Sequence, residues 1–229
     1  MTTNVIGTRE IRPVRFWEST NGQKAIMAVS GAILFAFVFF HMVGNLQVFE
    51  GREQLNFYGA ALRRFPEALW AARAVLLLAV ALHVWSSVRL ALRKSDARPV
   101  SYAARRNTNS SYASRTMYWS GPILLAFIIY HLLHLTAGYL RPGGSFEEGD
   151  VYGNMVAGFG VWYVSAWYIF AMILLGLHIR HGAWSMFQSL GMNHPRHTPV
   201  LKKAAAVLAF VIVAGYISIP LSILLGLIK

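Results

Sequence analysis

Phe35–Gln47 reads FAFVFFHMVGNLQ, an uncharged apolar run broken by one imidazole, His41, and followed at once by Gly44, Asn45 and Gln47. A histidine in such a run costs free energy unless something takes its ring nitrogens, so it marks a candidate functional site. Followed outward, the run extends over 25–47 without a charge. That is enough for a helix across about 30 Å of hydrocarbon at ~1.5 Å per residue.

The whole chain repeats this pattern. Hydrophobic residues make up 56% of 229 and charged residues 13%, a membrane composition rather than that of a soluble core. Further apolar runs over about 69–92, 117–140, 161–187 and 204–228 complete five spans in a single integral-membrane domain covering 1–229. The expected fold is therefore an all-α bundle of five transmembrane helices. Gly121-Pro122 lies near the entrance of span three, where proline is tolerated, and Gly153, Gly158 and Gly160 put the start of span four near Val161. The stretch 48–68 reads as a polar connection in which Pro66 opens a helix. The spans differ in sequence, and no internal repeat is read between them.

With no cysteine, the chain cannot form disulfides, thiolate-held iron-sulfur clusters or c-type haem attachment. A redox centre would need nitrogen or oxygen ligands. The net charge of +12 is segregated: fifteen of the 21 Lys and Arg fall in the N-terminal segment and in, or at the span ends flanking, the connections between spans two and three and between four and five. Acidic residues divide three against six in the opposite sense. The positive-inside rule then puts the N-terminus in the cytoplasm and the C-terminus outside, and argues against nucleic acid as a partner. No short apolar stretch with a small-residue cleavage site precedes Thr20, so no cleavable signal peptide is expected.

Spans one to four carry His41, His83, His131 with His134, and His178 with His181; His194 and His197 fall in a basic connection. Counted from the cytoplasmic end, His41 lies roughly 25 Å and His131 roughly 20 Å deep, and His83 and His178 roughly 14 to 15 Å. This gives an outer pair, His41 with His131, and an inner pair, His83 with His178. Two imidazoles facing across a bundle are what bis-histidine b-type haem requires. The alternatives are histidines bonded to carbonyls or hydroxyls between helices, or zinc held by the two pairs at three-residue spacing. The differing depths and the lack of an accompanying acid count against zinc.

HMVGNLQVF at His41, YASRTMYWSG ahead of span three, YHLLHLT at His131 and LHIRHGAWSMFQSLG at His178 resemble the b558-type cytochrome b subunit of succinate dehydrogenase and fumarate reductase. The resemblance runs from about Gln23 into span five. It implies a five-helix, di-haem anchor in the bacterial cytoplasmic membrane, with a flavoprotein and an iron-sulfur subunit on its cytoplasmic face. Electrons from succinate would pass through two b haems to menaquinone, or the reverse. The family's ligand positions match His41, His83, His131 and His178. Rival functions are a di-haem cytochrome b subunit of a hydrogenase or formate dehydrogenase, and a non-redox transporter or scaffold.

Around these ligands stand further candidates. Quinone chemistry in the resembled family sits near the outer haem, which makes Glu67 the candidate proton-transfer residue, Glu53 its alternative, and Asn45 and Gln47 one wall of a quinone pocket. Arg73, inside span two, is a candidate partner for a haem propionate. Lys24 and Arg115 could serve the inner haem in the same way, and His134 and His181 could bond propionates or a quinone. Ser30, close to three turns before His41, shares that face. Trp70, Trp119, Trp162 and Trp184 read as interfacial anchors. Gly31, Gly121 and Gly176 read as sites of close approach by a helix or a porphyrin.

Overall fold

A computed structural model describes residues 15–97 and 111–229. Several basic residues counted in the charge asymmetry, Arg9, Arg12, Arg98, Arg105 and Arg106, lie outside the described residues.

Among the described residues seven α-helices follow one another: α1 Thr20–Asn45, α2 Arg52–Arg63, α3 Pro66–Asp96, α4 Tyr112–His131, α5 Val151–Phe159, α6 Trp162–Ser189 and α7 Thr198–Leu224. α1 runs on through a 3-10 turn, Leu46–Glu50, and α4 through a π-helical turn, Leu132–Thr136. Five of the helices, α1, α3, α4, α6 and α7, are long and apolar enough to cross a membrane, and the protein is an all-α, multi-pass membrane bundle. The ends of α1, α3 and α4 at Thr20, Asp96 and Tyr112 define the near end of the bundle. The short helices α2 and α5 lie at the far end.

Local chemistry starts each helix. Ser19 caps α1 by accepting from Gly22 N–H at 2.9 Å, and a Cβ at Gly22 would strike the Phe16 carbonyl oxygen at 1.8 Å. Ser111 caps α4 in the same manner, accepting from Ser114 N–H at 3.1 Å. Pro66 occupies the first turn of α3, where its missing N–H would have no partner in any case.

Because of the Ser111 cap, α4 starts well before the apolar run. Pro122 therefore lies inside the helix and not near its entrance. The apolar window measures passage through hydrocarbon; the helix goes on for as long as backbone bonding and caps favour it.

The connection 48–68 contains a helix that its polar composition conceals. Leu55 on α2 is 1% exposed and joins Val48, Tyr152, Met155 and Phe159 in the far-end core. Asp150 ties this region together. It pairs with Arg52 at 2.9 Å, accepts from the Asn56 amide at 2.8 Å and caps α5 through Gly153 N–H at 3.0 Å. Asn56 in turn accepts from Tyr152 N–H at 3.0 Å.

α6 is the central element, packed against α7, α4 and α1, while α3 rests on α1. Its inward face carries Val164, Tyr168, Ala171, Met172 and Ile179. The bundle thus contains two packed hairpins, α1 with α3 and α4 with α6. Among the described residues, α1 does not pack closely along α4, nor α3 along α6.

Candidate functional site

The helices that do not pack are the ones joined by histidines. His41 at the far end of α1 faces His131 at the far end of α4, with ring centroids 5.9 Å apart and planes at 82°. Nearer the middle, His83 on α3 faces His178 on α6 at 6.1 Å and 56°. Two nitrogens on opposite sides of one metal, each at ~2.0–2.1 Å, place the ring centroids about 6 Å apart. Both pairs have that separation. Among the described residues no group of three or more His, Asp or Glu side chains could hold a metal ion, and each of the two sites brings together two imidazoles.

Hydrogen bonds orient the rings. His83 Nδ1 lies 3.2 Å from the Met27 carbonyl oxygen and 3.4 Å from Ser30 Oγ. Ser30 donates its own hydrogen to the Ile26 carbonyl at 2.7 Å, so both groups accept, and the His83 hydrogen belongs on Nδ1. His178 Nδ1 lies 3.4 Å from Ser120 Oγ, and His131 Nδ1 lies 3.4 Å from the Tyr168 hydroxyl. In all three the engaged nitrogen is Nδ1, which leaves Nε2 for a metal, as a ligand with an outer hydrogen-bond partner requires. His41 is held by ring packing instead: Phe37 stacks on it at 5.0 Å and Tyr216 of α7 lies at 6.4 Å. Tyr216 also donates to the Val38 carbonyl at 2.8 Å, which anchors the α1 backbone beside His41.

Ser30 therefore meets His83 on the neighbouring helix. Gly31 lies beside the same ring, since a Cβ there would stand 3.2 Å from His83 Cε1. Gly176 admits Val213 of α7, which a Cβ would meet at 2.6 Å, whereas nothing lies within 4 Å of a Cβ at Gly121. Gly121 is thus not a point of close approach by another helix among the described residues.

An internal repeat, absent from the reading of the spans above, emerges once the hydroxyl partners are known. Ser30–His41, SGAILFAFVFFH, and Ser120–His131, SGPILLAFIIYH, share serine, glycine, isoleucine, leucine, alanine, phenylalanine and histidine in one register. The geometry repeats too. Each serine meets a histidine on the helix packed beside it, and Phe127 stacks on His131 at 5.9 Å as Phe37 does on His41. Each histidine pair thus takes one ring from each hairpin. Ser120 and Tyr168, the functional residues not anticipated, differ in how they could be found. Ser120 is signalled by the repeated serine-histidine spacing, and Tyr168 has no sequence signal.

The remaining candidates are more dispersed. Asn45 donates to the His41 carbonyl at 2.7 Å, which folds its side chain back onto its own helix. Gln47 accepts from Gln54 at 3.1 Å. Glu67 is exposed in the first turn of α3, and Arg73 lies 4.9 Å over the Trp70 ring. Lys24 is exposed near the start of α1, and Arg115, also exposed, lies over Tyr112 at 5.9 Å. His181 meets Trp184 edge-on at 6.0 Å, and its buried Nδ1 has no hydrogen-bond partner among the described residues. His134 is 3% exposed and bonded to Tyr168 at 3.0 Å. The chain matches no protein-family model, and no curated protein or solved structure matches it.

Proposed function

We propose that this chain is the di-haem cytochrome b anchor of a succinate:menaquinone oxidoreductase. The observation that carries the proposal is the pair of two-imidazole arrangements, each about 6 Å across and each bridging helices that do not otherwise pack. In this reading His41 and His131 hold one haem b, and His83 and His178 hold the other. When bound, the two haems supply one-electron transfer between levels of the bilayer.

The chain's own residues keep three of the four rings, those of His83, His131 and His178, in one tautomer. Met27, Ser30, Ser120 and Tyr168 accept the Nδ1 hydrogens and leave Nε2 free. Phe37 and Phe127 brace the outer two rings in apolar surroundings.

Charge asymmetry supports an orientation with the near end and N-terminus cytoplasmic and the far end and C-terminus outside, in a bacterial cytoplasmic membrane. A flavoprotein and an iron-sulfur subunit would dock on the basic near end. Lys24 and Arg115 are exposed there, where cations meet propionates or lipid phosphates. Glu67, exposed at the far end, is suited to exchange protons with outside water, and Asn45 follows His41 by one helical turn with its side chain bonded to the His41 carbonyl. Dicarboxylate chemistry belongs to the partner subunits; menaquinone and haem belong to this chain.

The test is affinity purification of the tagged chain from its own membranes, followed by addition of succinate. Co-purification of a flavoprotein and an iron-sulfur protein, with succinate reducing a b-type chromophore, is the expected result. Co-purification of hydrogenase or formate dehydrogenase subunits would reassign the anchor, and a chain without chromophore or partners would remove the reading.

A further inference from the structure

We infer that Tyr168 and His134 are positioning residues for His131, forming a hydrogen-bond chain of one direction that makes this ring the more electron-rich ligand of the outer pair. The inference rests on the proposed function, because it assigns a difference between the two haem sites to residues outside the ligand set.

Four observations meet at this point. Tyr168 is 6% exposed, and its hydroxyl lies between two imidazoles, 3.4 Å from His131 Nδ1 and 3.0 Å from His134 Nδ1. His134 is itself 3% exposed. It is carried on a π-helical turn, Leu132–Thr136, a local departure from α geometry that recurs at functional sites. Gly158 of α5 makes the space for it, since a Cβ there would stand 2.5 Å from His134 Nε2. Burying a second histidine is costly unless its polar atoms are engaged, and here helix geometry and a glycine on another helix both accommodate it.

The direction of the chain follows from valence. With Nε2 of His131 directed to a metal, its hydrogen sits on Nδ1 and the Tyr168 oxygen accepts it. The phenolic hydrogen then goes to Nδ1 of His134, which places the His134 hydrogen on Nε2, toward Gly158. Each bond polarises the next, so His134 improves Tyr168 as an acceptor. A ligand imidazole whose N–H is donated is more basic and favours the oxidised metal. At the inner pair the arrangement differs. Ser30 ends its chain at once by donating to the Ile26 carbonyl of its own helix. His41, opposite His131, is braced by Phe37 and Tyr216 rings.

The experiment is a spectroelectrochemical titration of the intact complex carrying Tyr168→Phe, His134→Leu, both together, or Gly158→Ala. Tyr168→Phe keeps the ring and is expected to raise the midpoint potential of the outer haem without moving the inner one. His134→Leu and Gly158→Ala should shift it in the same sense by less. The double variant should match Tyr168→Phe alone, because a single chain is already cut at its first bond.

An unmoved outer potential in Tyr168→Phe, an equal shift of both haems, or additive effects in the double variant would each overturn the inference. These failures are distinct from failure of the proposed function, which would appear as the absence of b-type absorbance in the unaltered protein.

Discussion

Ser30 Oγ on α1 stands 3.4 Å from His83 Nδ1 on α3, and Ser120 repeats the contact with His178 at the same distance. The two contacts are not equally protected. His83 Nδ1 also has the Met27 carbonyl at 3.2 Å, whereas Ser120 is the one Nδ1 partner of His178 among the described residues. Ser120→Ala should therefore cost more than Ser30→Ala, by about 1 kcal/mol, the usual scale of one buried hydrogen bond. Thermal denaturation of the two variants in detergent checks this; equal losses would mean that the serines fill space only.

Ligand replacement separates the two levels. His41→Ala or His131→Ala should remove one haem and spare the other, and His83→Ala or His178→Ala should do the converse, as read from low-temperature reduced spectra. Loss of the same spectral component from His41→Ala and His83→Ala would contradict the pairing.

Glu67→Gln should impair quinone turnover while both haem spectra persist, because Glu67 is exposed in the first turn of α3 and is not one of the four histidines. The check is menaquinone-analogue reduction against haem content. Unchanged turnover would return Glu67 to the role of a carboxylate favoured by a helix N-terminus.

The far-end clamp predicts a pH dependence. Burial alone would raise the Asp150 carboxyl, but hydrogen bonds from Asn56 and Gly153 and the Arg52 guanidinium outweigh it and hold the group below its ordinary value of 3.8. A carboxyl depressed in the folded state contributes stability above its unfolded value, and that contribution is lost as pH falls through the folded one. Protection of the α2 and α5 amides from hydrogen exchange, taken relative to the free-peptide rate at each pH, should accordingly fall below about pH 4, while Asp150→Asn should lower that protection at neutral pH and remove its acid dependence. Protection independent of pH in the unaltered protein would contradict the clamp.

What could be read in advance divides by physical cause. The five spans were legible because each apolar run is long enough to have one reading in lipid. The grouping of His41 with His131 and of His83 with His178 needed only the helical rise. Ser30 was legible as sharing the helix face of His41 but not as a partner of His83, because a helical wheel gives a face and not the neighbour that meets it. α2 escaped because only Leu55 of its twelve residues is fully buried, and the turn that brings in His134 escaped because π geometry has no composition signal. The serine-histidine repeat was present in the letters but gained meaning only from the packing of α3 on α1 and α6 on α4.

The central claim is that two rings from each hairpin hold two haems. Pyridine-haemochrome quantification against protein mass in the purified complex tests it most directly. The account predicts two b haems per chain, both reducible by dithionite; fewer than two, or none, would contradict it.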